Sequence, residues 1–123
     1  MKEGIDIRVR CEYRPESSRP QARRYAFAYH IRISNLGTEP AQLISRHWII
    51  TDADQRRREV RGVGVVGEQP RLVPGQSFEY TSGAVIETEV GTMEGSYQMV
   101  RDDGREFSAP IPAFRLAVPH VIN

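Results

Sequence analysis

The chain has 123 residues, a formal net charge of +1 and 27% charged residues, so it fits a single domain, 1–123, and has no global field to favour nucleic acid. Its 39% hydrophobic content is dispersed, no run approaches the roughly 20 apolar residues of a membrane span, and "MKEGIDIRVR" lacks the apolar core of a signal peptide. A cytoplasmic protein with no nucleic-acid partner and no membrane insertion is expected, and the one cysteine, Cys11, excludes an internal disulfide and reads as a small buried apolar residue.

The opening "IDIRVRCEY" alternates, with Ile5, Ile7, Val9, Cys11 and Tyr13 on one face and Asp6, Arg8, Arg10 and Glu12 on the other, which is a half-buried strand. "RPESSRPQARR" carries Pro15 and Pro20 among polar residues and reads as a loop. Alternation returns in "RYAFAYHIRIS", with Tyr25, Phe27, Tyr29, Ile31 and Ile33 inward and His30 and Arg32 outward. After the turn "NLGTEP", "AQLISRHWIITDA" is rich in β-branched and aromatic residues and reads as a third strand. Trp48 shares an alternate set with Ile44 and Ile50 and is expected in the core; Arg46 falls in the same set and is expected at the rim.

"RREVRG" is a shorter strand, followed by the glycine-rich "RGVGVVGEQPRLVPG". "QSFEYTSG", "GSYQMVR" and "REFSAPIPAFRL" complete a set of seven, the last two joined across "DDG". No window keeps a helical apolar period, and 8 prolines and 10 glycines leave little room for one. Short strands with turn signals between them predict an all-β, two-sheet antiparallel sandwich, with Tyr97 placed like the tyrosine that pins a corner in immunoglobulin-like domains.

The ordered strings "QLISRHWIITD", "EVRGVGVVGEQPRLVPGQSFEYTSG" and "GTMEGSYQMV", with "YAFAYHIRISNLG" upstream and "IPAFRL" downstream, resemble the bacterial ApaG family over nearly the whole chain. The likeness weakens in "AVPHVIN", and nothing is inferred from His120. The resemblance implies a fibronectin type III-like β-sandwich. It carries no established activity: the family name is linked to a gene neighbourhood for dinucleoside tetraphosphate hydrolysis and to cobalt and magnesium resistance or efflux. Related domains in eukaryotic F-box and polymerase-interacting proteins look like interaction modules.

Gly62, Gly64 and Gly67 have the G-x-G-x-x-G spacing of dinucleotide-binding loops. There the glycines open a helix whose N-terminus holds the pyrophosphate, whereas Pro70 and Pro74 break any helical register here. A glycine loop can also aim backbone N–H groups at a phosphate without a helix, with Arg56, Arg57, Arg58, Arg61 and Arg71 supplying charge. Against that stands an architectural role, in which the glycines let an apolar flap fold on the sandwich. The basic charge is almost all arginine, with Lys2 the one lysine. Oxyanion recognition and a genome-wide codon bias both account for this.

No local ligand spacing marks a metal site, and the implied fold puts His30 and His47 in opposite sheets. Carboxylates at Asp52, Asp54, Asp102 and Asp103 read as solvated turn residues. "YTSG" offers Thr81 and Ser82, but there is no nucleophile elbow and nothing marks His47 as their base. The expectation is a non-enzymatic module with no cofactor, no metal and no catalytic residues. Its function is to bind a protein partner through the flap valines, including Val65, with Arg46, His47, Arg61 and Arg71. The alternative is binding of a small phosphate-bearing molecule by the glycine loop.

Overall fold

The structure, a computed structural model, describes residues 3–119. Eight strands follow in chain order: β1 (Ile5–Tyr13), β2 (Tyr25–Asn35), β3 (Ala41–Asp52), β4 (Arg57–Val63), β5 (Arg71–Leu72), β6 (Ser77–Ile86), β7 (Val90–Arg101) and β8 (Glu106–Ala117). One sheet runs β1-β2-β6; the other runs β4-β3-β7-β8, with β5 pairing the start of β3. All the pairings are antiparallel. This three-against-four connectivity is the fibronectin type III-like sandwich. The eighth strand, β5, is two residues long and exists only through its pairing with Ala41 and Gln42. "RPESSRPQARR" contains two single-turn 3-10 helices, Pro15–Ser17 and Pro20–Ala22, each started by its proline.

Strand alternation sends Phe27, Tyr29, Ile31 and Ile33 of β2 into the core against Trp48 and Ile50 of β3, Met93, Tyr97 and Met99 of β7, and Leu116 of β8. Trp48 is edge-on to Tyr97 and Phe114, and its indole N–H finds no acceptor among the described residues. Cys11 is half-buried, and burial followed by the Glu12 carboxylate pushes its thiol up to about 11, so it stays protonated and inert at neutral pH.

The register corrects two expectations. Ile44 is an extra residue on β3, between the pairs Leu43–Met99 and Ser45–Gln98. The bulge removes Ile44 from the inward set and gives Arg46, Trp48 and Ile50 the core-side parity. Tyr97 pins no corner. It lies well inside β7, is fully buried, and its hydroxyl meets that of Tyr80 at 2.5 Å, so that the contact ties β7 of one sheet to β6 of the other. Burial drives both phenols above their ordinary range.

Buried polar groups close the ends of the sandwich interior. Asn35 donates to the carbonyls of Glu39 and Leu72 at 2.8 and 2.9 Å, which fixes the β2–β3 turn and β5. Asp52 accepts the backbone N–H groups of Asp54 and Arg56, both at 2.9 Å, and the Arg56 guanidinium at 3.1 Å. Arg101 donates to the carbonyls of Glu3 and Glu39 and lies over the Phe107 ring, 4.5 Å from its centroid. Among the described residues no helix is long and apolar enough to cross a membrane.

Candidate functional site

The glycine-rich stretch is the hairpin that leaves β4, folds over the start of β3 and returns as β5. Gly64 has φ +65°, and a Cβ there would run into the Glu68 carbonyl. Its N–H donates to the Ile44 carbonyl at 2.8 Å. Val65 and Glu68 then exchange backbone bonds at 2.8 and 2.9 Å, across a tight turn whose central residues, Val66 and Gly67, both have positive φ, 43° and 82°. No helix follows, so the dinucleotide fingerprint is absent in three dimensions. The N–H groups of Val65 and Glu68 serve the hairpin itself, and that of Gly64 ties it to β3.

Arg46 belongs to this hairpin. Its Nη1 donates to the carbonyls of Val63 and Gly64 at 3.2 and 2.8 Å. The guanidinium lies so close over Gly62 that a Cβ there would be 2.7 Å from it. A side chain at position 62 would displace Arg46 and release both carbonyls. Arg46, expected to offer its hydrogen bonds to a partner, thus directs them to the backbone of the loop.

The flap valines divide. Val65 is fully buried in the core, which corrects its expected part in an exposed contact: the turn at Gly64 aims it inward. Val63 is 75% and Val66 54% exposed; with Leu36 they are the exposed large hydrophobic residues among those described. Val63 lies opposite Ser45, Ser45 opposite Gln98, and Gln98 opposite Ser108, making one uncharged row on the outward face across all four long strands of the larger sheet. Ser45 donates to Gln98 at 3.0 Å, and Gln98 to Ser96 at 2.9 Å. The adjacent row holds Arg61, His47, Ser96 and Pro110. Ile44 and Val100, both half-buried, line a depression of about 460 Å³ on this face.

Of the residues singled out from the sequence, the structure thus gathers Arg46, Gly62, Gly64 and Gly67 in the hairpin, and His47 and Arg61 on the sheet face beside it. His47 Nε2 meets Glu59 at 2.8 Å, and Arg61 reaches the same carboxylate at 3.3 Å. The His47 hydrogen bond holds the Glu59 carboxyl below its usual range, with Arg57 and Arg61 adding to the effect. Arg71 stands apart at the β5 end, gripping Asp102 with both arms of its guanidinium at 3.0 and 2.5 Å. Sequence reading took Val63, Val65 and Val66 together as exposed flap valines, which holds for Val63 and Val66, and it passed over the uncharged row. Parity from half-buried Val60 already points Val63 outward.

Another cluster that the sequence did not signal lies on the outer face of the smaller sheet. His30 makes hydrogen bonds to Thr81 at 2.6 Å and to Glu12 at 2.9 Å. His30 and His47 do lie in opposite sheets.

A family model described as "ApaG domain" matches residues 15–101. The chain is 57% identical over 122 residues to the protein named ApaG of Aromatoleum aromaticum, covering 99% of this chain and 96% of that one. It is 60% identical, with the same coverage, to the protein of that name from Thiobacillus denitrificans. A solved structure described as the ApaA protein of Bordetella pertussis superposes with a TM-score of 0.92 at 52% identity, covering 95% of each chain.

Proposed function

The chain belongs to the ApaG domain family, and from that membership and the exposed flap we propose that it is a non-enzymatic protein-interaction module. The observation that carries this reading is the pair Val63 and Val66, held in water beside an uncharged shelf of Ser45, Gln98 and Ser108. Isolated exposed valines are ordinary, but two on one hairpin, Val63 at the end of β4 and Val66 in the turn, beside a charge-depleted row form the apolar centre and polar rim of an interface. Arg61 and His47 stand at its border, where their charge steers a partner more than it binds one. A contribution to cobalt or magnesium resistance then runs through that partner rather than through a metal held by this chain.

The experiment is capture of partners from the native host's lysate with variants that remain folded. Val63→Asp and Val66→Asp, separately and together, are expected to abolish capture of any specific partner while each single change leaves folding stability within about 0.5 kcal/mol of the parent, as exposed substitutions do. Arg115→Glu, on exposed β8 away from the flap, is expected to capture normally. Equal capture by the double variant would place the interface elsewhere.

A further inference from the structure

We propose that the outer face of the β1-β2-β6 sheet carries a binding site for a tetrahedral oxyanion, a phosphate group above all, built from Arg8, Arg10 and Arg32 and separate from the glycine hairpin. Register places Arg8 directly opposite Arg32, and Arg10 directly opposite His30, so three guanidinium groups share one face within two residue pairs. Like charges directly opposite on a sheet repel and destabilise it. They line a cavity of about 330 Å³ whose far wall is Thr81 and Glu79.

Other arginines without an ion pair among the described residues, such as Arg19, Arg24, Arg58 and Arg115, stand elsewhere; what sets Arg10 and Arg32 apart is that they share one sheet face and one cavity with Arg8. Arg23, Arg56, Arg71, Arg101 and Arg105 each make an ion pair with a carboxylate. Arg10 and Arg32 are exposed, and neither has a carboxylate within 4.0 Å among the described residues. Glu79 is directly opposite Arg32 in register and yet makes no ion pair with it. Arg8 pairs only with Asp6, at 3.0 Å. Carboxylates are thus within reach of the cluster, and its two open forks still face the cavity.

His30 gives the site a fixed floor. Glu12 and Thr81 hold both its ring nitrogens, so the imidazole cannot swing away. Guanidinium forks match the oxygen spacing of a phosphate and bind it through paired, charge-assisted hydrogen bonds. An anion between Arg8, Arg10 and Arg32 would also relieve their mutual repulsion. Glu79 in the wall disfavours a ligand with further carboxylates close to the phosphate, which favours a compact phosphate group over a polyanionic peptide.

The test is a titration of the full chain with sodium phosphate, followed by amide chemical shifts and matched against sodium chloride at equal ionic strength. Phosphate is expected to move the amides of 8–10, 30–32 and 79–81. Arg10→Gln and Arg32→Gln should each weaken binding by roughly tenfold, the loss of one charge-assisted pair. Arg115→Gln should bind as the parent does. An adenosine triphosphate arm separates sources: displacement of phosphate at the same amides means a nucleotide's phosphates use the site, and no displacement restricts it to small phosphates. Shifts confined to 64–68, shifts reproduced by chloride, or equal affinity for the parent and both arginine variants would overturn the proposal.

Discussion

Gly64 decides the path of the flap. Its left-handed backbone turns the chain so that Val65 enters the core and the Glu68 carbonyl comes back over the Cα. Gly67 is also left-handed, at φ +82°, but a Cβ there would meet nothing within 4 Å. The two glycines of the motif therefore differ in cost. Gly64→Ala is expected to destabilise by about 3 kcal/mol, backbone strain plus a backbone clash, and Gly67→Ala by about 1 kcal/mol, the strain alone. Chemical denaturation of the two variants measures this directly, and equal losses would mean that spacing rather than local geometry governs both sites. The sequence shows that three glycines punctuate the valines. It cannot show which valine each one aims inward, because that depends on φ at Gly64 and on the Ile44 carbonyl it reaches across the strand gap.

At the scale of the element, β1 and β2 could be read from their alternation, since their pairing runs without a register shift and each keeps one alternate set toward the core. β3 could not be read through. Ile44 is an aliphatic residue in an aliphatic strand, no glycine or proline marks the bulge, and every parity assigned on both sides of it as one set is therefore mixed. β7 begins at Val90, five residues before the strand signal at Gly95, because pairing with β3 and β8 holds "VGTME" extended. The turn from β3 to β4 has a titratable centre. Burial raises the Asp52 carboxyl, but the backbone N–H of Arg56, its guanidinium and the N–H of Asp54 outweigh this and hold it below the ordinary range. A carboxyl depressed in the folded state binds fewer protons there than when unfolded, so its stabilisation is present above the unfolded pKa of about 4 and is lost as pH falls toward the folded value. The stability difference between the parent and Asp52→Asn should be constant from pH 7 to about pH 5 and shrink below about pH 4. A difference that grows on acidification would reverse the assigned role of the turn.

Over the whole molecule, the two sheets turn different chemistry to solvent. The larger presents uncharged Ser45, Gln98 and Ser108 running out to Val63, with Val66 above, and the smaller presents Arg8, Arg10 and Arg32. The faces lie on opposite sides of a core tied through by the Tyr80–Tyr97 contact, so changes on one need not disturb the other. The sandwich itself was legible from strand alternation and turn residues. The interaction face was not, because it is assembled from single residues of four strands and depends on register. The most direct measurement of the central claim is site-specific photo-crosslinking in the native host, with the crosslinking side chain placed at position 63, 66 or 115. The flap positions should each give the same discrete adduct, at one partner mass, and position 115 none. Adducts of unrelated masses at all three positions, or an adduct at 115 alone, would contradict the assignment of the flap as the docking surface.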